Sequence, residues 1–212
     1  MSAGRPSRRA YLGAVMLACA AALARAAGAA SPADEGPAAL TEGAPAFDQV
    51  LQLLAARRHG RVSYTEVHQM AMLERPLDSS GELVYEAPDH LEKRVLAPRP
   101  ETLTLDHGVL SAQRGHRTRV LALHDYPQVA PFIESIRATL AGDRAALEHY
   151  FHPQFEGAVD HWTLTLLPAD ATLARTVRDI RITGERAAIL TVEIRQVDGD
   201  RSLLRLGPQA PP

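Results

Sequence analysis

The sequence predicts an α+β fold that is mainly β: one antiparallel sheet of about ten short strands with helices over one face. Three observations predict it. Residues 61–112 alternate apolar and polar side chains in short runs, parted by turn residues and with no helical spacing between them. One short helical stripe precedes these runs, and a second helical region near 130–151 follows them. From Phe155 to Leu206 the alternation returns.

Taken in order, Phe47, Val50, Leu51, Leu53 and Leu54 sit at helical spacing. Asp48 falls in the first turn, Arg57 and Arg58 suit the end, and Gly60 stops the helix. A first strand follows, with Val62, Tyr64, Met70 and Met72 on one parity. The run RPLDSSG reads as a turn-rich gap. Leu83 and Tyr85 face one way on the second strand, and Leu91, Lys93 and Val95 share a face on the third. Pro98 and Pro100 break that strand. Leu103 and Leu105 follow, and Asp106-His107-Gly108 turns the chain into Val109–Ala112. Residues 117–124 contain VLAL, apolar on both parities, which predicts a strand covered on both faces.

Pro127 and Pro131 open a second helix whose stripe is Val129, Phe132, Ile133, Ile136 and Leu140. Gly142 ends it, and Asp143 caps a short third helix over residues 145–151. A hairpin follows over 155–159 and 161–167, with Trp162, Leu164 and Leu166 on one parity. The stretch 171–178 is ambiguous. Ile180 and Ile182 share a face; so do Ala188, Leu190, Val192 and Ile194. Leu203–Leu206 makes a last short strand, and residues 207–212 read as a frayed tail.

The first 30 residues read as an export signal rather than as part of the fold. Arg5, Arg8 and Arg9 form a basic start, Ala10–Leu23 is an apolar run, and Ala27-Gly28-Ala29 fits an A-x-A cleavage site. A membrane span needs about 20 apolar residues, and Arg25 closes this shorter run. Ser7-Arg8-Arg9-Ala10-Tyr11-Leu12 also fits a twin-arginine signal, so two export routes stand open. Cys19, preceded by Met16-Leu17-Ala18, is a poor lipobox cysteine. Residues 31–45, rich in Ala, Pro and Gly, read as a disordered leader, and 46–206 as one domain. The predicted location is the periplasm.

Cys19 is the only cysteine, so the mature chain has no disulfide, thiol nucleophile or cysteine metal site. Residues 1–30 hold four arginines and no acid. Of 23 basic and 25 acidic residues, 19 and 25 remain after cleavage, a formal net charge of −6. That excess of acid argues against nucleic acid as a partner.

Catalytic patterns are scarce. The chain has no G-x-S-x-G, P-loop or G-x-G-x-x-G. Ser79 and Ser80 read as turn residues. Among nine histidines, His149 and His152 are spaced for a shared ligand, but zinc needs three or four converging groups. No metal and no cofactor are expected. The pairs Asp78/Glu82 and Asp198/Asp200 also read as turn chemistry.

What remains is apolar surface. A sheet of this size must curl, and two short helices cover its concave face only in part. Parity and spacing leave two readings open: an ordinary filled core, or a cavity for an apolar ligand.

A resemblance separates them. Tyr64 and Glu66 on the first strand, PLDSSGELVY (76–85), APDHLEK (87–93) and Asp106, Gly108 and Leu110 in the hairpin follow one another as in the LolA-like periplasmic carriers of outer-membrane lipoproteins. The resemblance spans roughly residues 47–197. It implies an unclosed, strongly curved half-barrel whose helices cover the concave face and which holds acyl chains without catalysis. A monomeric carrier would take cargo from an inner-membrane donor and pass it to an outer-membrane acceptor. The family's arginine before the turn proline, which helps hold the lid closed, is Ala87 here. That departure implies a divergent branch, of the kind associated with glycolipid, polyene-lipid or acyltransferase pathways. The alternative is a non-catalytic structural module of such an assembly.

Parity, stripe and resemblance together give the expected acyl contacts. On the sheet these are Leu83, Tyr85, Leu91, Val95, Leu103, Leu105, Val120, Trp162, Leu164, Leu166, Ile180 and Ile182. On the second helix they are Phe132, Ile133, Ile136 and Leu140.

Overall fold

The computed structural model describes residues 44–125 and 130–209. The expected signal with Cys19 and residues 31–43 of the expected leader lie outside them, as do Pro127 and Val129; Ala44 and Pro45, the last two leader residues, instead begin a helix. Among the described residues the architecture is mainly β: an 11-stranded antiparallel sheet, not closed, with three α-helices.

Helix α1 (Ala44–Ala55) leads into strands β1 (His59–Gln69), β2 (Leu77–Glu86), β3 (His90–Ala97), β4 (Glu101–Asp106), β5 (Val109–Arg114) and β6 (Arg117–Ala122). Helices α2 (Ala130–Ala141) and α3 (Arg144–Tyr150) come next. Strands β7 (Phe151–Ala158), β8 (His161–Pro168), β9 (Val177–Glu185), β10 (Ala188–Gln196) and β11 (Arg201–Gln209) complete the chain. The sheet order is β6-β5-β4-β3-β2-β1-β11-β10-β9-β8-β7. Each neighbour is a sequence neighbour except at the middle, where β1 and β11 pair antiparallel, Glu66 opposite Leu204. Strands β6 and β7 are the two edges.

Several local expectations are corrected. Helix α1 stops at Ala55, so Arg57 and Arg58 lie beyond it and Gly60 belongs to β1. Strand β1 ends at Gln69. Met70–Leu73 turns instead, closed by Leu73 N–H to Met70 O (2.9 Å) and by Ala71 N–H to Asp200 Oδ1 (2.8 Å), which leaves Met72 exposed. The DSSG run is strand, not turn: Ser79 pairs with Glu66, Ser80 with Thr65, and Asp78 and Glu82 are also in β2. Gly81 is there because a Cβ would lie 1.8 Å from Arg94 O, where the register of β2 and β3 slips. Strand β6 is an edge and is covered on one side at most, leaving Val120 65 % exposed. Phe151 opens β7 rather than closing α3. The ambiguous stretch resolves into a 3₁₀ turn, Leu173–Arg175, and the start of β9. Strand β11 runs nine residues, through Gly207 and Pro208, because β1 supplies it with a partner.

Other signals carry through. Asp143 Oδ1 accepts from Ala146 N–H (3.0 Å) and caps α3. Gly142, with φ +65°, ends α2: its N–H donates to Thr139 O and Asp143 N–H to Ala138 O, a Schellman pair.

The main core is off-centre. Phe47, Val50, Leu51 and Leu54 of α1 and Leu147 of α3 pack on Trp162, Leu164, Leu166, Ile180 and Ile182 of β8 and β9. Phe155 links Phe47 and Trp162 by ring contacts of 5.4 and 6.5 Å. Over β4 and β5, a second cluster is smaller: Leu105, Leu110, Leu123 and Ile133.

Candidate functional site: an apolar cavity

Between these two clusters the sheet is not filled. A cavity of about 260 Å³ opens there, close to the lower end of the roughly 300–1,000 Å³ typical of small-molecule pockets. Seven strands contribute to its wall: β1 to β5, β10 and β11. Strands so far apart in one sheet meet around a single cavity only if the sheet curves about it. Leu54 of α1 and Ile133, Ile136 and Leu140 of α2 line the other side.

The position of α2 follows from its sequence. Ser135, Ala138 and Thr139 are almost fully buried small residues, and they let α2 approach its neighbours closely. At its C-terminus the approach is tight: a Cβ on Gly142 would lie 2.4 Å from Leu51 O of α1. The adjoining stripe of Ile133, Ile136 and Leu140 then faces the cavity.

Eight of the sequence-predicted contacts line this cavity: Leu83, Tyr85, Leu91, Leu103, Leu105, Ile133, Ile136 and Leu140. Trp162, Leu164, Leu166, Ile180 and Ile182 sit elsewhere, at most 3 % exposed inside the main core. They share the inner face, but α1 and α3 fill the space over them. Val95 is half-buried and does not line the cavity, and Val120 points away on the edge strand. The side chain of Phe132 lies outside the described residues.

The wall also holds residues that sequence reasoning missed. Leu204 and Leu206 come from β11, whose pairing with β1 spans most of the chain, and Ile194 comes from β10, the next strand beyond it. Ile189 lines the cavity while Leu190 is exposed, because the register of β10 shifts between Ile189 and Thr191.

Polar residues gather on the same wall. Glu66 Oε2 accepts from Lys93 Nζ at 2.7 Å and from Ser79 Oγ at 3.0 Å, and its Oε1 accepts from Ser202 Oγ at 2.9 Å. Four strands thus converge on one carboxylate. Lys93 Nζ also lies 5.0 Å from the centre of the Tyr64 ring. Burial pushes the Tyr64 phenol up from its ordinary value, and the Lys93 charge opposes that. His68 and Gln196 stand on the wall as well, both buried. Lys93 was legible: it interrupts the apolar parity of Leu91 and Val95.

Outside the cavity, Asp89, Asp106 and His107 cluster on the surface, with His107 Nδ1 3.0 Å from Asp106 Oδ1 and 3.8 Å from Asp89 Oδ1. The hydrogen bond that His107 donates to the Asp106 carboxylate raises the His107 pKa, and the same bond lowers that of Asp106.

A family model described as "Outer membrane lipoprotein carrier protein LolA-like" matches residues 38–210. The chain belongs to this family. Solved structures similar to this LolA-like protein are distant in sequence. A LolA superfamily protein from Nitrosomonas europaea is 12 % identical, over 77 % of this chain and 92 % of that one, with a TM-score of 0.40. A DUF1329 family protein from Desulfovibrio piger is 7 % identical, over 78 % and 91 %, at 0.44. A putative outer membrane lipoprotein-sorting protein domain from Vibrio parahaemolyticus is 10 % identical, over 80 % and 93 %, at 0.40. No curated protein matches the chain by sequence.

Proposed function

We infer that this LolA-like protein is a non-catalytic carrier. It holds acyl chains of a lipoprotein or lipid in the cavity between the sheet and α2. It works in the periplasm after loss of a signal peptide near residue 30 and moves its cargo from an inner-membrane donor to an outer-membrane acceptor. The observation that carries this reading is the contrast within one sheet. Over β8 and β9 the inner face is a packed core, whereas over β1 to β5, β10 and β11 it is left open and lined mostly by leucine, isoleucine and valine.

Acyl burial suits such a wall, since each methylene removed from water contributes about 0.8 kcal/mol. Release then depends on α2, the element that closes the cavity opposite the sheet. No reaction is part of the proposal. Of the two carboxylates on the wall, Glu66 is already held by three donors and Glu92 by the Arg94 guanidinium.

Organic extraction of protein purified from its native envelope, followed by mass spectrometry, tests the reading. Acyl lipid should be recovered near one equivalent per chain, and intact mass should show an N-terminus near residue 30. A lipid-free protein that also fails to bind a fluorescent fatty-acyl probe refutes it.

A further inference from the structure

One part of the cavity wall is polar, and two of its groups lack partners. On β1 and β11, His68 stands opposite Ser202, which stands opposite Ile194 of β10, with Gln196 next on that face of β10. Glu66, two residues from His68 on the same face of β1, is the neighbouring polar group. The charges there are matched: Glu66 and Lys93 neutralise each other at 2.7 Å and are 12 % and 14 % exposed. Ser79 and Ser202 complete that set. By contrast, His68 Nε2 and Gln196 Oε1 are buried and make no hydrogen bond, in residues only 5 % and 4 % exposed. A buried polar atom without a partner bears the full cost of leaving water, and folded proteins leave few of them. A cavity meant only for hydrocarbon has no use for such atoms.

We propose that the cavity takes a long-chain amphiphile with an uncharged, hydroxyl-bearing head, of the monoacylglycerol type, and that the head sits between His68 and Gln196. This rests on the carrier reading and specifies its cargo. A hydroxyl donates to Gln196 Oε1 and also accepts, so it satisfies either tautomer of His68 and either orientation of the Gln196 amide. A carboxylate head cannot donate to Gln196 Oε1 and places a second negative charge beside Glu66. A methyl ester offers acceptors only. Because Glu66 and Lys93 cancel, the surroundings favour a neutral head.

The test is displacement of a fluorescent fatty-acyl probe from delipidated mature protein by 1-monooleoylglycerol, methyl oleate and oleate, which share one chain. The wild type should bind monooleoylglycerol about tenfold more tightly than the other two. In His68→Leu/Gln196→Leu that preference should vanish, so that the three bind alike. Should the double variant not fold, His68→Phe and Gln196→Met are read singly, and each should lose part of the preference. Equal binding of the three ligands by the wild type, or a preference that survives in the variants, overturns the head-group site while leaving the carrier intact. Failure of the acyl probe itself to bind removes both.

Discussion

Ile136→Asp should separate the cavity from the core. Ile136 is half-buried on α2 and lines the cavity, whereas Ile182 on β9 is 1 % exposed inside the packed cluster. Full burial of such a side chain contributes roughly 1.5–3 kcal/mol, so half-burial puts the loss at Ile136 at about 1–1.5 kcal/mol. Aspartate adds a few tenths for its poorer helix propensity. Its charge adds little if the cavity admits water. For a chain of this size a loss of 1 kcal/mol lowers Tm by roughly 2–4 °C, so Ile136→Asp should melt about 2–8 °C below wild type. The same change at Ile182 loses the whole burial term and places an unpaired carboxylate among Leu164, Val192 and their neighbours. That exceeds about 5 kcal/mol, the lower end of the stability of most domains, and should leave the chain unfolded. A thermal melt beside an acyl-probe titration reads both effects: Ile136→Asp stays folded and loses probe binding. If it unfolds as Ile182→Asp does, the region under α2 is ordinary core. If it binds the probe normally, α2 does not wall the ligand.

Three further outcomes are expected. Lys93→Met should destabilise by about 3 kcal/mol in chemical denaturation because it strands the Glu66 carboxylate, and Glu66→Gln/Lys93→Met should recover most of the loss; additive losses would contradict the pairing. Gly142→Ala should cost at least about 1–2 kcal/mol, since it puts a Cβ at positive φ and against Leu51 O; an unchanged midpoint would show that α1 and α2 do not approach as described. His107 should titrate above the ordinary value of about 6.5, and Asp106→Asn should bring it down. Its contribution to stability is complete below that ordinary value and is lost as pH rises through the folded one. Asp106 contributes above its ordinary range and loses the effect as pH falls through its lowered value. Both groups are exposed, so an NMR titration rather than a melt is the measurement, and a midpoint at or below 6.5 would contradict the contact.

The strands were legible because a half-buried strand writes its faces into the sequence with period two, as at Leu83/Tyr85 and Leu103/Leu105. The same property hides bulges. A slip of one residue exchanges the faces, so Ile189 rather than Leu190 lines the cavity, and DSSG reads as a turn although it is a strand with a glycine at a crowded crossing. Val120 was misjudged for another reason. Whether an apolar strand is central or an edge depends on pairings made far along the chain, and β6 has a neighbour on one side only. The helix caps were local and therefore readable: Gly142 and Asp143 act within one turn of where they stand. Trp162, Leu164, Leu166, Ile180 and Ile182 share the inner face with the cavity residues and cannot be told from them by parity. What distinguishes them is the side of the sheet on which α1 and α3 come to rest.

That placement divides the labour within the fold. The aromatic contacts, the most buried aliphatics and two of the three helices lie over β7 to β9, where packing supports stability. The strands that wall the cavity gain less from side-chain packing, and their order rests on backbone pairing: β1, at the centre of the sheet, is bonded along most of its length to β2 and β11. The Glu66 cluster adds to this, because Lys93, Ser79 and Ser202 tie β3, β2 and β11 to one carboxylate on β1. A hydrophobic plug in its place would fill part of the void that the carrier reading needs. A satisfied polar cluster can hold the four strands in register while the apolar remainder of the wall stays open for cargo. Substitutions in the two halves should therefore differ in kind. Those over β7 to β9 act first on folding, and those on α2, β4 and β11 act first on what the cavity holds.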